Sequence, residues 1–277
     1  MTVSVNSVID RVQQVLQDTT GVRWPVVEEL VLWINDAQRE IALLKPDASA
    51  VNETVTLAAG TKQTIPSNGN RLLKVVRNVV GTAPSSSIRL IDGNILDSQT
   101  PDWHSSSVSG AAAHTTTIKH YIYNDQNPRV FYVYPGALGS TVKVDIIYSA
   151  NPAPVQALSA VSVWNSETSY ETGNRVSYNS KVYQAASNST DQTPDAEGST
   201  FWTEVNGYNL SIPDIFANAV MNYVLYMAYM KDADFAGSAQ RAANHYNLFQ
   251  TSITGKAQID TVTSPNAERN IQPVAGA

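Results

Sequence analysis

The chain has 277 residues, enough to bury a sizeable core, and is 43% hydrophobic but only 15% charged. Its net charge of −6 argues against a sequence-independent nucleic-acid binder, which needs Lys and Arg to displace counterions from phosphates. With no cysteine it has neither a disulfide framework nor thiolate chemistry. The first fourteen residues, MTVSVNSVIDRVQQ, lack the basic start and apolar core of a signal peptide. The protein is therefore expected to be made and kept in a cytoplasm-like compartment, and the triplets at Asn52, Asn188 and Asn209 are expected to be chance glycosylation matches. Val5, Val8, Ile9, Val12, Val15 and Leu16 recur at helical spacing, and Gly21 is the expected end of that helix. Pro25 fits the first turn of a second helix, with an apolar stripe of Val27, Leu30, Val31, Ile34, Ile41 and Leu44 that Pro46 stops. Each of these helices must lay its stripe on a neighbour.

From Val51 to Tyr148 the pattern changes to short runs rich in β-branched and aromatic residues. Residues 53–65, ETVTLAAGTKQTI, predict a hairpin turning at Ala59-Gly60. RLLKVVRNVV, SSIRLI, TIKHYIY, RVFYVYP and TVKVDIIYSA follow, bounded by Gly, Pro, Asn or Ser. About seven such strands predict a small antiparallel sandwich or barrel. A long connection from Leu90 to Ala113 includes a Ser/Gly/Ala-rich loop, either mobile or ordered by a neighbour. Residues 151–158, NPAPVQAL, read as a Pro-rich linker.

A compact aromatic segment, 161–205, comes next, with Val176, Tyr183 and Trp202 expected in its core and Trp164 and Tyr170 partly exposed. Ser211 is the expected N-cap of a helix running from Ile212 to Met230. That helix is apolar on several faces and must be buried. A second helix spans 235–253, its small residues allowing close approach. After Gly255 the periodicity fades into a polar tail. The expected architecture is α+β. An antiparallel helical bundle forms from an N-terminal pair (1–50) and a C-terminal pair (207–256). It carries a β sandwich or barrel (51–158), an inserted β module (159–206) and an extended tail (257–277). No stretch is long and apolar enough to span a bilayer, so no membrane partner is expected.

Little in the sequence points to catalysis. His104, His114, His120 and His245 match no metal spacing. His104 beside Asp102 and Ser105 reads as a turn cluster, because a catalytic triad is defined by three-dimensional roles. Asp191, Asp195 and Glu197 lie in a polar loop with no apolar pocket to separate their pKa values. The expectation is a protein that is not an enzyme and takes no cofactor or metal.

Three stretches carry a resemblance. They are residues 24–48 (WPVVEELVLWINDAQREIALLKPDA), residues 95–104 running on through 118–137 (ILDSQTPDWH; IKHYIYNDQNPRVFYVYPGA), and residues 212–249 from IPDIFANAV to NHYNLF. In content, order and spacing they resemble the head-tail adaptor, or head-completion, proteins of tailed bacteriophages. The resemblance implies a homo-oligomeric ring, of about twelve copies, docked on the portal at the virion neck. It also implies tail, nozzle or tail-fibre partners, a β region facing the tail, and DNA passing through the lumen without specific binding. Val224, Leu225, Ala239, Ala242 and Tyr246 are the expected helix-packing and ring residues, with a charge at Ala239 or Ala242 expected to block closure yet spare the fold. In related adaptors a C-terminal extension reaches the portal, which here assigns that role to the tail residues Thr261, Pro265, Ile271 and Val274. Glu28, Glu29, Asp36 and Glu40 lie on the polar face of the second helix, either toward the channel or on a solvated outer face.

The inserted segment resembles the small carbohydrate-binding modules attached to chitinases. The matching residues are Trp164, Tyr170 to Tyr178, Lys181 to Ala185, and Trp202. In that family an exposed tryptophan follows the run that here reads Ala185-Ala186-Ser187-Asn188. Trp164, Tyr170 and Trp202 are therefore either a glycan or partner platform, as in a glycan-binding tail or fibre component, or simply the core of a small module.

Overall fold

A computed structural model of the chain describes residues 3–105, 113–139, 141–157, 161–179, 181–195, 200–205, 208–232 and 237–263. It divides into two units, residues 1–45 with 153–277, and residues 46–152. Among the described residues there are five α-helices and several sheets.

In the first unit, helix α1 (Val5–Leu16) starts where the Ser4 hydroxyl accepts the Ser7 amide, and it buries Val5, Val8, Ile9 and Val12. It ends at Gln17, in left-handed conformation (φ 57°), four residues before the expected Gly21. Asp18 then organises the connection. Its carboxylate accepts the backbone amides of Val22, Arg23 and Trp24, which lets the chain fold back within six residues. These bonds, that from Trp24 foremost, hold the Asp18 carboxyl below its ordinary pKa. One π-helical turn, Val26–Leu30, leads into α2 (Val31–Leu44), which buries Val31, Ile34, Ala37, Gln38, Ile41 and Ala42.

The second unit holds β1 (Ala50–Thr56), β2 (Gly60–Thr64), β3 (Gly69–Val80), β4 (Ala83–Ser87), β5 (Arg89–Leu90), α3 (Gly93–Gln99), β6 (His120–Tyr123), β7 (Val130–Ala137) and β8 (Lys143–Ala150). One sheet runs β1-β8-β3-β4 and the other β2-β7-β6-β5. All pairs are antiparallel except β5 with β6. Both sheets contribute to one cluster, in which Phe131, Val133, Ile146, Tyr148 and Val75 are sealed from solvent.

The expected hairpin over residues 53–65 does not form, because β1 and β2 belong to different sheets. Leu57 is buried at the crossing, and its amide donates to the Val142 carbonyl. The Gln63 side chain holds the corner by bonding the Ala58 amide and the Ala58 and Gly60 carbonyls. The run SSIRLI is likewise divided between β4 and β5 around buried Ile88. In both places one core aliphatic outweighs local pairing, since exposing it would cost about 2 kcal/mol. The long connection after Leu90 contains α3, capped by Asp92. The loop residues 106–112 lie outside the described residues.

Back in the first unit, residues 153–157 of the expected linker are not free. Val155 and Ala157 are buried, and the Asn35 side chain both donates to and accepts from the Val155 backbone. The inserted module forms β10 (Arg175–Tyr178), β11 (Lys181–Ala185) and β13 (Trp202–Glu204) as one sheet, with β9 (Ser169–Tyr170) paired to β12 (Ser189–Thr190). Ser211 caps no helix. Its amide donates to the buried Gln38 side chain and its hydroxyl to the Ala153 carbonyl. A short 3-10 turn, Asp214–Phe216, opens α4 (Ala217–Lys231), and the Asp214 carboxylate receives the Val3 amide at 2.7 Å. Helix α5 (Ser238–Thr263) continues through Gly255, where a tail was expected. A helical glycine costs about 1 kcal/mol. Offsetting it, Ile253 is buried, and Asp260 pairs with both Lys256 one turn back and the buried Lys45 at the end of α2.

One row of residues ties three strands of the second unit. Asp145 on β8 faces Thr54 on β1 and Arg77 on β3, and accepts a bond from each. Together these bonds, the Thr54 hydroxyl first, hold its carboxyl below the usual 3.8. Asp145→Ala should cost about 2 kcal/mol, a figure discounted because the Arg77 side chain is 43% exposed. A carboxyl whose folded pKa is depressed contributes above its unfolded value and loses that contribution as pH falls through the folded one. Urea midpoints of the native chain and Asp145→Asn should therefore differ at pH 7 and converge below 3.8.

Candidate functional site

Helix α4 contacts α1, α2 and α5. Val220, Val224 and Ala228 are sealed from solvent and Leu225 nearly so. Polar bonds pin its ends. Asn218 accepts from Arg11 of α1, Lys231 bridges to Glu29 at 2.6 Å, and the following Asp232 meets Arg23 at 2.7 Å. Toward α5 it presents a ladder of rings spaced three residues apart. Tyr223 meets Phe249 at 5.1 Å, Tyr226 meets Tyr246 at 4.9 Å, and Tyr229 stacks on His245 at 5.6 Å. The pairs run in opposite order along the two helices.

His245 bonds the Asn222 side-chain oxygen at 3.0 Å, and burial pushes its pKa below 6.5. Burial raises the Tyr223 hydroxyl, and the carboxylates of Asp36 and Glu40 add to the shift. Two of the four acidic residues considered for a channel lining are thus already engaged: Glu29 with Lys231, and Asp36 with Arg39.

Of the expected ring residues, Val224, Leu225 and Ala242 lie inside the chain's own helix packing. Tyr246 is half-buried in the ring ladder. Ala239 is exposed. A charge at Ala242 would therefore break the fold rather than spare it, since that methyl is fully enclosed. Thr261 falls in the last turns of α5, whereas Pro265, Ile271 and Val274 lie outside the described residues.

The module's core is Tyr170, Val176, Tyr183, Ala185 and Trp202, with Trp164, Tyr178 and Phe201 packed against it. Tyr170, expected to be partly exposed, is buried. It meets Trp202 edge-on at 5.2 Å, and its hydroxyl accepts the Asn165 amide. Trp202 donates its indole N–H to the Gln192 carbonyl. Neither ring offers a face to a sugar, because 45 residues have little else with which to build a core. Trp164 is half-buried edge-on to Tyr178 at 5.4 Å. A shallow hollow of about 320 Å³ lies beside Thr172, Gln184, Ala186 and Thr203.

In the second unit the His104 ring stacks on Trp103 at 3.6 Å, and its Nδ1 meets the Thr61 hydroxyl. His114 packs against Gly136, where a Cβ would lie 2.5 Å from the ring. Asp195 accepts a bond from Asn179, and Glu197 lies outside the described residues. No helix among the described residues is long and apolar enough to cross a membrane.

The sequence of residues 3–197 and 181–269 matches the family model described as SU10 adaptor protein. The chain belongs to the SU10 adaptor protein family. It is a phage adaptor protein and so a virion component. No curated protein matches it. The two matched stretches of this adaptor overlap across residues 181–197, inside the aromatic module.

Sequence reading missed the fastenings around α4: the Asp18 loop, the Gln38–Ser211 bond and the Lys45–Asp260 pair. Only the i,i+4 spacing of Lys256 and Asp260 signalled that α5 runs on past Gly255.

Leu225→Asp should abolish the cooperative melt of this adaptor, because it places an unpaired charge at a site 1% exposed. Ala239→Asp should leave the melt within about 0.5 kcal/mol of native. Because the His245 pKa is lowered on folding, the chain loses stability as pH falls below 6.5. His245→Gln should flatten the fall in melting temperature between pH 7 and pH 5.

Proposed function

We propose that this adaptor forms a closed ring beneath the portal, prolongs the DNA channel and provides the attachment site for the tail. The observation that carries the reading is the family match, which spans both terminal helical regions and the β unit. In this reading α1, α2, α4 and α5 make an antiparallel bundle, and the two four-stranded sheets make a sandwich that faces the tail or its nozzle and fibre proteins. The ring has about twelve copies, so it carries on the order of −70 charges. DNA then slides through the lumen without specific binding. The protein performs no catalysis and holds no cofactor.

The module is a decoration on this scaffold. Its position where the two matched stretches overlap supports an insertion, and its buried aromatics support a structural role over a glycan-binding one in host attachment. The segment beyond Thr263, with Pro265, Ile271 and Val274, is assigned to the portal. Residues 257–263 belong instead to α5.

Mixing the purified adaptor with its portal, followed by mass measurement and negative-stain imaging, tests the ring. A complex about twelve adaptor masses heavier than the portal is expected; a mixture no heavier than the portal alone refutes it. Truncation after Thr263 should leave the melt unchanged and weaken portal binding. Replacing residues 161–205 with a short Gly/Ser linker should leave assembly intact, and a deletion that prevents assembly would make the module part of the scaffold.

A further inference from the structure

The two sheets of the second unit end in four edge strands, β1 and β4 in one and β2 and β5 in the other. A bare sheet edge invites pairing with another chain, and folded proteins blunt it with proline, lysine, bulges or short strands. Three of these edges are blunted. β4 carries Pro84, and its ladder with β3 shifts register between Arg77 and Val79. β2 carries Lys62, and its ladder with β7 shifts between Gly60 and Lys62. β5 has only two residues, one of them Arg89.

Strand β1 has none of these devices. Its seven residues, AVNETVT, include no proline, lysine, arginine or glycine, and they pair with β8 in one unbroken register from Ala50 to Thr56. All but the half-buried Val55 are exposed. Its one charge, Glu53, accepts the Tyr148 hydroxyl at 2.6 Å and is thereby turned to β8 and not to the open side.

The direction of the main-chain groups follows from the ladder. The Leu57 amide donates to the Val142 carbonyl, so that pair is hydrogen-bonded across the strands. In an antiparallel ladder, bonded and non-bonded pairs alternate. Val55, Glu53 and Val51 therefore bond to β8, whereas Thr56, Thr54, Asn52 and Ala50 turn their N–H and C=O groups to the open side. None of these four has a backbone partner there among the described residues.

The open side thus presents a donor and an acceptor at every second residue, about 7 Å apart. A helix spends its main-chain groups on itself, and a duplex offers phosphate oxygens that need cations, of which β1 has none. An extended polypeptide matches the pattern. We infer that β1 takes an added strand from a different virion protein on the tail side, held by main-chain hydrogen bonds. Val55 packs against the core cluster and Val51 is 37% exposed on the same face, so the added segment carries apolar side chains at alternate positions beside them. Asn52, Thr54 and Thr56 line the other face and select polar residues between. A second copy does not fit: β1 on β1 is a two-fold pair that stops at two copies, and the other edges of the unit are blunted. The inference rests on the reading that the sandwich faces the tail, and it names the surface that meets the partner.

Residue-resolved amide exchange on the free chain should show Val51, Glu53 and Val55 slow, and Asn52, Thr54 and Thr56 fast. In necks released from virions with the tail attached, the fast set should slow about a hundredfold or more, and in the portal complex without tail proteins it should stay fast. Asn52→Pro removes an outward N–H and leaves the β8 ladder whole, and Val51→Lys adds the missing lysine at an exposed position. Both should keep the native melt and the native mass of the portal complex, and each should reduce tail attachment about tenfold or more. Fast exchange at these amides in tailed virions, or normal tail attachment by both variants, overturns the inference and leaves the ring standing. Protection that appears on the portal alone gives the edge to a second copy or to the portal, and overturns it too. If no portal complex forms, the ring reading fails, while exchange in tailed virions still decides the edge.

Discussion

Helix α4 has no polar side long enough to face water, and this one constraint arranges the rest of the first unit. Its fifteen residues bury Ala217, Ala219, Val220, Val224, Leu225 and Ala228, and they carry a ladder of tyrosines on another face. A helix apolar on several faces is stable only when other elements enclose it. The enclosing helices come from residues 5–44 and 238–263, so both ends of the chain are drawn to one place. Residues 46–152 must then leave and return as a closed excursion. Its length is tolerated because loop-closure entropy grows only slowly with the number of residues.

The sequence made legible whatever a single periodicity decides. The stripe of Val5, Val8, Ile9 and Val12 marked α1, though the helix ends before the expected Gly21, and Pro25 with Pro46 bracketed the second helix. The strands were visible as runs of Val, Ile, Tyr and Phe, but their partners were not. Pairing is settled by which core residue must be buried. Leu57 and Ile88 send the chain across to the other sheet in places where local turn chemistry suggested continuation. The end of α5 was misplaced for a similar reason. Gly255 is a helix-stopping signal locally, whereas Lys45, far earlier in the chain, supplies the charge that holds Asp260 in the helix beyond it. Tyr170 was expected to be partly exposed, but the module's five-residue core takes its ring inside.

The residues by which the module is recognisable are ones that its fold requires. Its Gly173, Val176 and Tyr183 occupy a turn and core positions that the β10–β11 pairing requires, and Gly173 adopts φ 95°, a conformation that favours glycine. These residues preserve a fold. Ligand binding would need a ring that folding leaves exposed, and Ala185-Ala186-Ser187-Asn188 supplies none. A resemblance carried by core positions therefore speaks for architecture and leaves function to the surface.

The acidic balance has to be placed somewhere, and two assignments compete for the same residues. A channel that repels DNA would draw on Glu28, Glu29, Asp36 and Glu40. Glu29 and Asp36 are committed to ion pairs within the chain, and such pairs present little net charge to a lumen. Of the four, Glu28 and Glu40 alone have no ion pair among the described residues, so a repelling wall built here would rest on those two. A carboxylate cannot serve both ends: an interface gains from pairing it, while a repelling wall needs it unpaired and facing the duplex.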